Sequence, residues 1–152
     1  MKYLFKISKR TLKTARNRFF HLVLLSVILS VFAMLVTLGM GGSQDRMVAV
    51  TLMCAVVFIA INVIIMRDNM YTLIITRRYF KANFLAYFAY ILLSVIVYFI
   101  DPSNIVYTWM FMITKFLVYS ALDWPTWLSA IIFHTMMILA IFVAPIGMYD
   151  DK

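Results

Sequence analysis

The sequence predicts an all-α fold: a polytopic integral membrane bundle of four or five transmembrane helices, preceded by a basic amphipathic helix at the membrane surface. Three observations carry this. The 152 residues are 65% hydrophobic with a mean hydropathy of +0.96, and only 13% of them are charged. Apolar runs long enough to cross a hydrocarbon core of roughly 30 Å recur along the chain. The cations are clustered: seven of the fourteen Lys and Arg residues precede Phe19 and four more fall between Arg67 and Lys81, as expected for cytoplasmic flanks. In a soluble protein a net charge of +8 would suggest nucleic acid. Here the basic clusters flank membrane-length runs, so anionic headgroups are the expected partner and nucleic acid is excluded.

Residues 1–19 read as the surface helix. Lys2, Lys6, Lys9, Lys13 and Arg16 form one stripe at helical spacing, with Leu4, Phe5, Ile7, Leu12, Ala15 and Phe19 on the other side. Such a helix sinks its apolar face to the acyl boundary, while each cation gains about 1 kcal/mol from an anionic leaflet. The charged stretch is long and no small-residue cleavage site follows at a suitable place, so this segment is expected to stay attached.

Residues 20–149 read as the bundle. In the first crossing, 20–40, Ser26, Ser30, Ala33 and Thr37 recur at intervals of four, three and four, giving a narrow face of small side chains for helix packing. Glycines at 39, 41 and 42 end it, and Asp45 and Arg46 sit in a short external loop. The second crossing, 47–66, places Thr51, Ala55 and Asn62 on one face, so Asn62 is expected to point inward and bond another helix. Residues 70–76 are too short to span and are expected along the inner surface. The third crossing, 79–100, has Ala82, Ala86 and Ala89 as its small face and ends at Asp101-Pro102-Ser103-Asn104.

The segment 105–122 is the ambiguous one. It is apolar around most of its circumference yet carries Lys115 near its middle. As a crossing it would set Trp109 at the outer interface and Trp124 and Trp127 at the inner one, at a cost of about 3 kcal/mol for the lysine. As an outer surface helix it would lack a broad polar face. Both readings stay open, and with them the choice between five crossings and four. The final crossing, 126–149, aligns Ala130, His134, Met137, Ile141 and Ala144.

Chemistry is sparse. There is no glutamate, and all six aspartates lie outside the long apolar runs, so the buried carboxylates on which ion-coupled transport relies are missing. Cys54 is alone, and the histidines at 21 and 134 offer neither zinc spacing nor two haem ligands at one depth; no metal and no cofactor are expected. Lys115 and His134 are the polar side chains well inside apolar runs and could face each other at one depth if 105–122 spans. The expected protein is a non-enzymatic one that binds another membrane protein, or its own copies, through helix faces: an accessory or regulatory subunit, or an immunity or exclusion protein. The alternative is a small oligomeric channel or transporter, possibly anion-selective, using Lys115 and His134. A bacterial cytoplasmic membrane with the amino terminus in the cytosol is the expected location.

Overall fold

A computed structural model describes residues 8–68, 73–101, 103–119 and 123–143, and all the elements within them are helical. Three helices are long and apolar enough to cross a membrane, making this a helical membrane protein. The first, α1 (Lys9–Gly39), starts at Ser8, whose hydroxyl accepts from the Thr11 amide at 3.1 Å and so satisfies a free donor of the first turn. It ends where Gly41 and Gly42 take positive φ (84° and 66°), which lets the Gly42 amide donate back to the Thr37 carbonyl at 2.9 Å. Arg46 donates to the Met40 carbonyl across the same turn. The second helix is α2 (Gln44–Asp68) and the third α3 (Leu73–Ile100).

α1 runs unbroken through Phe19, so residues 9–19 are not a separate helix set off from the first crossing. The reason is in its buried stripe: Thr11, Ala15, Arg18, Leu22, Ser26, Ser30, Ala33 and Thr37 recur at threes and fours along all 31 residues, leaving nothing to bend the helix at its basic end. Lys9, Lys13 and Arg16 are exposed, but so is Leu12, 57% accessible, which was expected on the apolar side. Lys2 and Lys6 lie outside the described residues. Likewise residues 73–78 are the first turns of α3, where a separate surface segment was expected; 70–72 lie outside the described residues.

The segment 105–122 does not form one long helix. Asp101 and Asn104 turn the chain, with Asn104 in the left-handed region (φ 55°) that Asn tolerates better than most residues. α4 (Ile105–Phe111) then runs for seven residues before Phe111 departs from helical geometry (φ −133°, ψ 25°) and a single 3-10 turn follows, Met112–Lys115. Together they extend roughly 18 Å, well short of a bilayer core. Tyr107, Phe111, Met112, Ile113, Thr114, Lys115 and Phe116 are buried while Ile105, Val106 and Trp109 are exposed, so the segment packs one side into the bundle. Residues 120–122 lie outside the described residues.

α5 (Thr126–Val143) is antiparallel to α3. Trp127 lies with Tyr98 and Phe99 near the end of α3, His134 bonds Tyr87 midway, and Ile141 reaches Asn83 and Arg18. Trp127 therefore stands at the same end of the bundle as α4, opposite to where a spanning 105–122 would have put it. One end of the bundle carries the start of α1, the end of α2, the start of α3 and the end of α5; with Lys9, Arg10, Lys13, Arg16, Arg67, Arg78 and Lys81 it is the basic end.

Apolar surface alone does not hold such a bundle together in lipid, where the surroundings are as apolar as leucine; close packing and interhelical hydrogen bonds do. Ser26, Ser30 and Ala33 are fully buried and Thr37 nearly so. The small face of α1 is thus spent on the chain's own helices: Ser26 Oγ donates to the Met110 carbonyl of α4 at 2.6 Å and accepts from Tyr90 of α3 at 2.8 Å.

Candidate functional site

The basic end holds a charged residue in an unusual place. Arg18 is 7% accessible, turned inward by the same stripe that buries Ala15 and Leu22. Its Nε donates to Asn83 Oδ1 of α3 at 2.7 Å and its Nη2 to Asn62 Oδ1 of α2 at 3.0 Å. Both amides are oriented by their own helices, since Asn62 Nδ2 donates to the Phe58 carbonyl (2.7 Å) and Asn83 Nδ2 to the Tyr79 carbonyl (2.8 Å), which leaves each oxygen aimed at the guanidinium. Nη1 is buried and has no acceptor among the described residues. Two neutral amides solvate this cation without cancelling its charge. A small cavity of about 10 Å³ adjoins it, walled by Leu22, Met66, Met137, Ile141 and Tyr87 as well as the three polar residues.

Towards the middle of the bundle, Tyr87 Oη meets His134 Nδ1 at 2.8 Å, and Nε2 of the same ring is buried without a partner among the described residues. The ring is edge-on to Tyr90 and Phe133, and Tyr90 stacks on both Tyr87 (5.7 Å between centroids) and Phe58 (5.9 Å). These rings pack α2, α3 and α5 together around His134.

At the far end Lys115 is also 7% accessible. Its Nζ reaches back to Thr108 Oγ1 at 2.7 Å and lies 5.7 Å from the Tyr107 ring centroid. Thr108 can accept because its own proton goes to the Asn104 carbonyl (2.5 Å). Ser129 ties this turn to α5, donating to the Thr114 carbonyl at 2.6 Å and accepting from the Leu117 amide at 3.2 Å.

Between α3 and α5, in the half of the bundle nearer α4, a groove of about 340 Å³ opens sideways. Val95, Tyr98, Phe99, Trp127 and Ile131 form its mouth, and Ser94, Tyr107 and His134 lie deeper. Its size is that of a pocket for a small apolar ligand or for the side chains of one helix face.

Of the residues singled out from sequence, Asn62 makes an interhelical bond and the Ser26, Ser30, Ala33, Thr37 face packs, but internally. Lys115 and His134 are not brought together: each takes its own hydroxyl partner, because the chain turns back at 112–115 and α5 runs from the α4 end. Ala144 lies outside the described residues. Sequence reasoning passed over Arg18, Asn83 and Tyr87. Arg18 was legible: it lies eight residues, two steps of four, before Ser26, so the small-residue stripe continued backwards lands on it. Asn83 shares its helix face with Tyr87, four residues on, and both follow the alanines at 82 and 86. No protein-family model, no curated protein and no solved structure matches the chain.

Proposed function

We propose that this chain is a small non-enzymatic component of the bacterial cytoplasmic membrane that works by holding a transmembrane helix of a partner membrane protein, as an accessory or regulatory subunit or as an immunity or exclusion protein. In this reading α1, α2, α3 and α5 make four crossings, 105–119 is a re-entrant segment, and the basic end faces the cytosol with the amino terminus, where its exposed cations meet anionic headgroups. α5, about 27 Å long, suffices for a crossing with little tilt.

The observation behind the binding role is the lateral groove. The small face of α1 is occupied by the chain's own helices, whereas the α3/α5 seam is open to the membrane and floored by Ser94 and Ala130, with aromatic walls suited to gripping a helix. The test is a photoreactive residue at Ile131 in membranes of the native host. A single protein adduct that disappears when Ala130→Trp fills the groove supports the reading; adducts with lipid alone overturn it.

One observation favours a second reading, a small oligomeric channel or transporter for an anion. The buried cations Arg18 and Lys115 are bonded by neutral oxygens. Chloride flux in proteoliposomes that Lys115→Met abolishes would establish it, and silent liposomes would remove it.

A further inference from the structure

α1 is longer than the membrane it crosses, and its surplus length carries an inference beyond the groove. Its outward apolar side chains run from Phe20 through Leu24, Ile28, Phe32 and Leu35 to Leu38. At 1.5 Å per residue that is about 27 Å, close to the thickness of a hydrocarbon core. The bonds from Arg18 to Asn62 and Asn83 set α2 and α3 at the level of this boundary. There exposed Lys81 gives way to exposed Phe84 on α3, as Arg16 gives way to Phe20 on α1.

Residues 9–17 of α1 therefore stand clear of the core. Counted from Phe20, Arg16 is about 6 Å out, Lys13 and Leu12 about 10–12 Å, and Arg10 and Lys9 about 15–17 Å. The headgroup layer on one side is only about 5–7 Å thick, so Arg16 lies within it and the other four pass beyond it. Side chains lean towards the amino end of a helix, which here points away from the bilayer. Leu12, 57% accessible, has Lys9 three residues before it, Arg16 four after it and Lys13 alongside. α1 contains no carboxylate to offset these charges. Lipid phosphates do not reach this height, and a nucleic-acid backbone offers nothing to the leucine. An acidic protein segment with an apolar stripe answers both features.

We propose that this upper face of α1 is a docking site for an acidic amphipathic helix of a cytosolic partner segment. The inference rests on the orientation proposed above, with the basic end in the cytosol.

The experiment places the full chain in nanodiscs of phosphatidylcholine, which carry no net charge, and adds a fluorescent synthetic helix with a leucine stripe flanked by glutamates. Wild type is expected to bind it, more weakly as salt is raised, and not to bind the same peptide with glutamine for glutamate. Lys9→Glu with Lys13→Glu should weaken binding about tenfold or more, and Leu12→Ser about fivefold. Glutamate near the start of α1 suits the helix dipole, so the reversed variant is expected to fold. In discs containing phosphatidylglycerol, a nitroxide on Leu12→Cys should collide with a water-soluble nickel chelate and one on Phe20→Cys with oxygen, Cys54 being buried. A label at position 12 that reports lipid would overturn both the placement of α1 and this inference. A label in water with a peptide that does not bind, or that binds the charge-reversed variant or Leu12→Ser as tightly as wild type, overturns this inference alone. The groove is tested separately, at Ile131.

Discussion

Arg18 Nε and Asn83 Oδ1 lie 2.7 Å apart although 65 positions separate the two residues in the chain. The bond joins α1 to α3, the most extensively packed pair of helices in the bundle, at the level where both enter from the basic end. A charge-assisted bond in so dry a place is worth more than the usual interhelical one, about 1.5–3 kcal/mol against about 0.6. A double-mutant cycle of Arg18→Met and Asn83→Leu, read by unfolding in mixed micelles, is expected to give a coupling energy of about 1–2 kcal/mol. Additive effects of the two changes would show the bond to be idle.

The small-residue face of α1 makes a separate expectation. Ala33 has no accessible surface, so Ala33→Leu forces helices apart and should cost about 1–3 kcal/mol. Leu35, 62% accessible on the other side of the same helix, faces lipid, and Leu35→Ala should change stability by less than about 0.5 kcal/mol. Equal losses from the two would mean that α1 packs by a different face.

The helices and their inward faces were legible in the sequence because spacing of small and polar residues survives in lipid as a packing signal. Ser26, Ser30, Ala33 and Thr37 on α1, and Asn62 on α2, are buried as that spacing requires. What was not legible was the path of 105–119. Its composition is that of a spanning helix, and no proline or glycine marks the break at Phe111. The turn is tied down by a residue beyond it, on α5: Ser129 holds the Thr114 carbonyl and the Leu117 amide. Tertiary bonds of this kind leave no local periodicity. The same holds for the groove, which residues of α3 and α5 line together with Tyr107 of α4.

Lys115 tests whether a buried cation is kept for stability. Its Nζ has one hydroxyl, a ring and the more distant charge of Asp101 for company, which do not repay the removal of an ammonium from water. Lys115→Met matches the stem in length and drops the charge, so the variant is expected to be as stable as wild type or more so by thermal unfolding. A loss above about 1 kcal/mol would place the lysine among the bonds that hold the turn at 112–115. If the variant is stable yet fails in the host, the charge is retained for a purpose other than folding.

Asp101 governs entry into α4 and gives the bundle a dependence on acid. One carboxylate oxygen accepts from Ser103 Oγ at 2.5 Å and the other from the Tyr107 amide at 3.1 Å, so the charged form is favoured in the fold. The Ser103 hydroxyl is the main cause holding this carboxyl below its ordinary value; burial works against it, and the backbone amides of Tyr107, Val106 and Ser103 add to the lowering. With the folded pKa below the unfolded one, the unfolded chain binds the proton more readily. The contribution is therefore complete above the unfolded value of about 3.9 and is lost as pH falls through the folded value. Asp101→Asn, which cannot ionise, should melt below wild type by a constant margin from pH 7 to about 5, and that margin should close below about 4. A margin that persists unchanged below about 4 would show that the charge of the Asp101 carboxylate does not stabilise the fold.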